Sequence, residues 1–130
     1  MSDSFELMAT FDVPAMTVYR AWLDGASHSA MTGAPAESDP VAGGRFSAWD
    51  GYISGIHREL VPGKKIVQAW RTTEFPADAP DSVVEILLEE EGHGTKLILR
   101  HSSIPDGQGE EYRQGWVDYY FSPMKEYFSE

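Results

Sequence analysis

The residues whose ordinary pKa lies nearest neutrality are His28, His57, His93 and His101, spread through a chain of 130 residues. No two of them stand at i, i+3 or i+4 with a carboxylate ligand beside them, so no metal site is expected. His101 follows Leu97 and Leu99 at period two, which on a strand points all three to one face. A histidine at the rim of an apolar face could orient a polar ligand group or move a proton. The preferred reading is plainer: a space-filling imidazole hydrogen-bonded to backbone or to a tyrosine hydroxyl. His57, in register with Ile53, Gly55, Glu59 and Val61, carries the same two readings, and His93 sits in a Gly-flanked turn open to solvent.

Other catalytic chemistry finds little support. The chain has no cysteine, which excludes thiolate nucleophiles, Cys-based zinc sites and disulfides. There is no "GxSxG", and no serine has a recognisable local base. Glu89, Glu90 and Glu91 form a run at a strand end, usually a solvated edge. Glu110 and Glu111 stand where a helix should begin, where the helix dipole accounts for them. Neither "GxxxxGK[ST]" nor "GxGxxG" occurs, which removes the usual phosphate-cradling loops. No catalytic residue and no cofactor is therefore assigned.

The aromatics carry more information. Between positions 111 and 128, "EYRQGWVDYYFSPMKEYF" holds seven aromatic residues and a proline, Pro123. Tyr112, Trp116, Tyr119 or Tyr120, Met124 and Phe128 recur near one helical stripe. Phe46, Trp49 and Trp70 are the strand residues able to meet that stripe, although Phe46 and Trp49 have opposite parity, so one of them should face elsewhere. Large rings fill a core efficiently, or they line a pocket given polarity by Tyr and His tips. Pro123 would remove an internal hydrogen bond and bend the helix.

The elements that must position these residues are readable from periodicity. "FELMATFDV" alternates as a half-buried strand. Pro14 can start a helix through "PAMTVYRAWLDG", ended by Gly25, with a short second helix through "ASHSAM". "TGAPAESDPVAGG" reads as an irregular crossing or a poor edge strand. Then "RFSAWD", "YISGIHRELV", "KIVQAWRTT", "SVVEILLEEE" and "TKLILRHSS" follow, several separated by Gly-containing turns. Gly43, Gly44, Gly51 and Gly55 suit turns or local bending of the sheet. The order is α+β: an antiparallel meander whose curved face holds a long terminal helix.

The totals bound the rest. A chain of this length is expected to form one domain, residues 1–130, with one core that needs no disulfide or metal. "MSDSFELMAT" has no basic region or apolar run, so no leader or membrane span is expected and a cytoplasmic location follows by default. Twenty-one acidic against ten basic residues give a formal charge of −11, which opposes nucleic-acid and anionic-membrane partners. Arg45, Arg58, Arg71 and Arg100 sit among acidic neighbours and read as surface ion-pair partners.

The ordered set "VYRAWLD", "AMTGAPA", "VAGGRFSAWDGYISG", "ELVPGKKIVQAWR", "DSVVEILLEEEGHGTKLILRHSSIPDG" and "YRQGWVDYYFSPMKEYF" resembles the Aha1-type branch of the START-like (SRPBCC) superfamily over nearly the whole chain. The resemblance implies the helix-grip (START/Bet v 1-like) fold, with two short helices after strand one. The name-giving homologues activate the Hsp90 ATPase, and the eukaryotic co-chaperone resembles this sequence only in its C-terminal domain. The superfamily also contains ligand carriers and polyketide cyclases, so the fold leaves activity open.

Three functions follow as expectations. The first is a non-enzymatic domain holding a small apolar ligand between sheet and last helix, against Phe46, Trp70, Leu97, Leu99, His101, Tyr112, Trp116, Tyr120 and Met124. The second is a reduced co-chaperone that docks on an Hsp90-type chaperone. The third is a cyclase-like enzyme in which a pocket His or Tyr moves protons. A monomer or a homodimer suits all three.

Overall fold

Apolar residues alternate along the strands of this chain, and the computed structural model, which describes residues 2–129, shows how that alternation is used. β1 (Asp3–Phe11) is followed by two short helices, α1 (Ala15–Leu23) and α2 (Gly25–Thr32). Five strands then precede the terminal helical region: β3 (Arg45–Ala48), β4 (Ile53–Val61), β5 (Lys65–Thr72), β6 (Ser82–Glu91) and β7 (Gly94–Ile104). The crossing after α2 contributes a two-residue edge strand, β2 (Glu37–Ser38). Pro14 caps α1 as its sequence position suggested, whereas the break after α1 belongs to Asp24. That residue ends α1 and caps α2, its carboxylate accepting from Ser27 N–H at 2.9 Å, so Gly25 opens the second helix instead of closing the first.

The described residues form a seven-stranded antiparallel sheet in the order β1-β7-β6-β5-β4-β3-β2. Its concave face carries Leu97 and Leu99 on β7, Val84 and Ile86 on β6, and Ile66 on β5, all essentially without solvent exposure. The other face pairs charge across strands, including Arg100 with Glu6 at 2.7 Å and Lys65 with Glu59 at 3.3 Å. Arg71 meets Asp81 at 2.8 Å, so two of the four strand arginines have the expected partners. A register shift between His57 and Glu59 inserts Arg58 as a bulge. Beyond it Glu59 and Val61 no longer share the face of His57, and Leu60 turns toward the core instead.

The terminal helix occupies the concave face as α3 (Gly109–Trp116) and α4 (Ser122–Tyr127), joined by a π-helical stretch over Val117–Phe121. Its buried stripe, Tyr112, Trp116, Tyr120, Met124 and Phe128, is spaced by four residues throughout. On an α-helix each such step overshoots a full turn by about 40°, so the stripe would spiral off the sheet. The wider π turn, in which Ser122 N–H bonds to the Val117 carbonyl, takes up part of that overshoot. It also leads directly into Pro123, whose missing N–H makes an ordinary helical ladder incomplete at this point. What precedes Pro123 is thus an under-wound π turn.

Candidate functional site

Beneath the terminal helix the concave face is filled. Trp22 stacks on Trp116 with ring centroids 5.8 Å apart, Trp116 lies 4.8 Å from Tyr120, and Trp70 lies 5.6 Å from Trp116. Around Trp22, His28, Phe46, His57 and Trp70 only about 10 Å³ of space remains, the lower limit for one water molecule. Rings of this size interlock at crystal-like density, so the centre of the grip is packed core.

Three histidines are built into that core, and their hydrogen bonds fix what they can do. Trp116 Nε1–H donates to His101 Nδ1 at 3.1 Å. An indole can only donate, so Nε2 carries the His101 proton and donates to Ser82 Oγ at 2.8 Å, whose hydroxyl donates to the Trp70 carbonyl at 2.8 Å. Burial pushes the His101 pKa down to about 3. Protonating Nδ1 would require expelling the Trp116 indole, so His101 is a neutral bracket between sheet and helix.

His28 repeats the arrangement from α2. Its Nδ1 donates to the Trp22 carbonyl at 2.9 Å, leaving Nε2 to accept from the Tyr120 hydroxyl at 3.0 Å. His57 stacks on Phe46 at 5.1 Å, accepts from Gln68 Nε2–H at 3.3 Å, and donates to Ser38 Oγ at 3.0 Å. Burial holds both below the usual histidine pKa. Among the described residues no buried side-chain nitrogen or oxygen lacks a partner, and no group of three or more His, Asp or Glu side chains gathers as a metal site would require.

Space opens between the β3–β4 end of the sheet and the terminal helix. A cleft of ≈ 390 Å³ lies there, open to solvent along one side. Trp49, Tyr52, Ile53 and Trp70 form its sheet wall. Glu111, Tyr112, Gly115, Trp116, Tyr119 and Tyr120 form its helix wall. Tyr112 is held between Gln108 Oε1 and Thr72 Oγ1, each at 2.7 Å. Tyr52 donates its hydroxyl proton to the Glu74 carboxylate at the rim. Burial raises the pKa of Tyr52, Tyr112 and Tyr120 above the usual phenol value, so these hydroxyls stay protonated at neutral pH.

Trp49 reaches the cleft by an unusual backbone. The β3–β4 turn places Trp49, Asp50 and Gly51 at φ of 55°, 57° and 89°, and Tyr52 N–H bonds to the Trp49 carbonyl at 3.2 Å. Asp50 and Gly51 are the natural central pair of such a turn, but a bulky residue at positive φ is an outlier that costs on the order of 1–3 kcal/mol. This corrects the parity expectation: Phe46 and Trp49 both pack against the core, because Trp49 lies past the end of β3 and its left-handed backbone re-aims the side chain.

The candidate residues from the sequence therefore divide. Trp70, Tyr112, Trp116 and Tyr120 line the cleft. Leu97, Leu99, His101 and Met124 show 0% exposure and belong to the packed centre, and Phe46 covers His57. Sequence reasoning missed Tyr52, Ile53, Glu111, Gly115 and Tyr119 as lining residues. Tyr119 offered a signal as the alternative stripe position beside Tyr120; it is 58% exposed and sits edge-on to Trp49 at 5.5 Å.

Comparison with known proteins agrees with this architecture. The human activator of 90 kDa heat shock protein ATPase homolog 1 is 34% identical over 122 residues, covering 94% of this chain and 36% of the human protein. This chain therefore spans about a third of the length of that relative. The crystal structure of an HSP90 activator from Plasmodium falciparum superposes with a TM-score of 0.81 at 28% identity, covering 92% of this chain and 90% of the other. CalU16 from Micromonospora echinospora superposes with a TM-score of 0.75 at 28% identity, covering 89% of this chain and 70% of the other. The family described as activator of Hsp90 ATPase homolog 1-like protein matches residues 12–129, and the chain belongs to that family.

Proposed function

We propose that this is a non-enzymatic binding domain whose cleft, at the edge of the terminal helix, takes a small and largely apolar ring-bearing compound. The observation that carries the proposal is the ≈ 390 Å³ opening, walled mainly by aromatic side chains and adjoining a region around Trp22, His28 and His57 where only about 10 Å³ is free. The histidines support a binding role over proton transfer. His28, His57 and His101 are each occupied by structural hydrogen bonds, and none of them contributes to the cleft wall. A thermal-shift screen of the purified protein with aromatic and lipidic compounds tests the reading. Stabilisation that rises with compound concentration is expected, and no shift with any compound would count against it.

A second reading is favoured by the relatives themselves. Proteins named as activators of the 90 kDa heat shock protein ATPase align with nearly all of this chain, and the −11 charge would complement a basic surface on an Hsp90-type chaperone. ATP turnover by the Hsp90 of the same organism, with and without this protein, discriminates the two. A rise in turnover supports the co-chaperone role. No binding at about tens of micromolar removes it.

A further inference from the structure

We propose that the cleft selects a hydrophobic organic cation: a quaternary ammonium or protonated amine carried on an aromatic or branched alkyl body. The inference rests on the reading of the cleft as a binding site and adds the charge of its occupant. Seven aromatic side chains, Trp49, Tyr52, Trp70, Tyr112, Trp116, Tyr119 and Tyr120, line it, and their rings stand at varied angles to one another. Trp49 meets Tyr119 at 69°, Trp70 meets Tyr112 at 80°, and Trp116 is tilted 48° from Tyr120. The face of an aromatic ring carries the negative part of its quadrupole, so a wall built mainly of rings favours a cation over an anion once water is displaced.

The charged groups reinforce the rings. Glu111 is the acidic side chain of the lining, no Lys, Arg or His contributes to it, and Glu74 stands at the rim holding the Tyr52 hydroxyl. The whole chain adds a field of the same sign through its −11 charge. An anion entering here would meet repulsion from both carboxylates and no compensating cation in the lining. A neutral body of equal shape would gain only burial. Trp49 strengthens the case, because its side chain is brought to the cleft by a backbone conformation that a bulky residue adopts only at a cost.

Calorimetric titration with three probes of matched shape tests the inference on the full chain: benzyltrimethylammonium, its neutral carbon isostere neopentylbenzene, and the anion phenylmethanesulfonate. The cation is expected to bind about tenfold more tightly than the neutral isostere, and more weakly as salt is added, with the anion weakest. Glu111→Gln should weaken the cation several-fold, by about three to ten times, and leave the neutral isostere unchanged. Glu111 is exposed, so unchanged affinity for the isostere also reports an intact cleft. If the neutral isostere binds as well as the cation, charge selection is overturned and the binding-site reading stands. If no probe binds, both fall.

Discussion

Gly115 offers a perturbation in which stability and binding should move in opposite directions. It lies within α3 on the cleft wall, and a Cβ built there would meet only the Tyr119 ring, at 3.9 Å, an ordinary contact distance. Glycine in a helix interior is less favourable than alanine by about 1 kcal/mol. With no clash to offset that gain, Gly115→Ala should stabilise the fold by about 1 kcal/mol, raising Tm by roughly 3–5 °C for a domain of this size. Gly115→Leu keeps most of the helix preference and extends a branched side chain across the opening, so affinity for the aromatic probes should fall at least about tenfold. Urea unfolding without ligand gives the first quantity, and probe titration of both variants gives the second. Misfolding cannot produce a protein that is more stable and binds less. Loss of stability in Gly115→Ala would show that the space over Gly115 is occupied. Undiminished binding by Gly115→Leu would place the ligand elsewhere.

Further outcomes follow from the core. The folded-state pKa of His28, His57 and His101 is depressed below the ordinary 6.5, so the unfolded chain binds more protons than the folded one once the pH drops through that value. Stability from these groups is complete above about pH 7.5 and falls with decreasing pH by up to about 1.4 kcal/mol per unit per histidine, for His101 down to its folded value of about 3. Urea midpoints between about pH 7.5 and 5 check this; a flat profile contradicts it, and His101→Leu should lower the slope while costing about 1–3 kcal/mol for the stranded Trp116 N–H. Gly55→Ala should destabilise by about 3 kcal/mol in chemical denaturation, because its Cβ would run into the Ala69 carbonyl and stand 2.7 Å from the Phe46 ring. Tyr112→Phe removes the hydroxyl held by Thr72 and Gln108 and should cost about 1 kcal/mol, with loss near zero showing those bonds to be idle.

Much of this architecture was legible because it rests on local rules. Period-two alternation marked β1 and β4–β7, Gly-containing turns marked the breaks between several of the strands, and the aromatic stripe marked the helix that fills the concave face. What escaped depends on backbone geometry that periodicity does not encode. The bulge at Arg58 turns Glu59 away from His57, positive φ re-aims Trp49, and the π stretch keeps a drifting stripe seated. The site was half legible for a related reason. Alternation says that Leu99 and Trp70 share a face, but only the path of the terminal helix decides that Leu99 is covered while Trp70 also reaches an opening. Glu111 was explained by the helix dipole, and its place on the cleft wall emerges only once Trp49 and Tyr52 stand opposite.

The most direct test is an NMR titration that follows the four tryptophan indole N–H signals while benzyltrimethylammonium or a neutral aromatic probe is added. Trp49, Trp70 and Trp116 line the cleft, whereas Trp22 lies in the packed centre beside His28 and Tyr120. Saturable shifts in the Trp49, Trp70 and Trp116 signals, with the smallest change at Trp22, are the expected result. Shifts largest at Trp22, or confined to the methyls of Leu97, Leu99 and Met124, would contradict the account by placing the ligand in the space that the structure fills with rings.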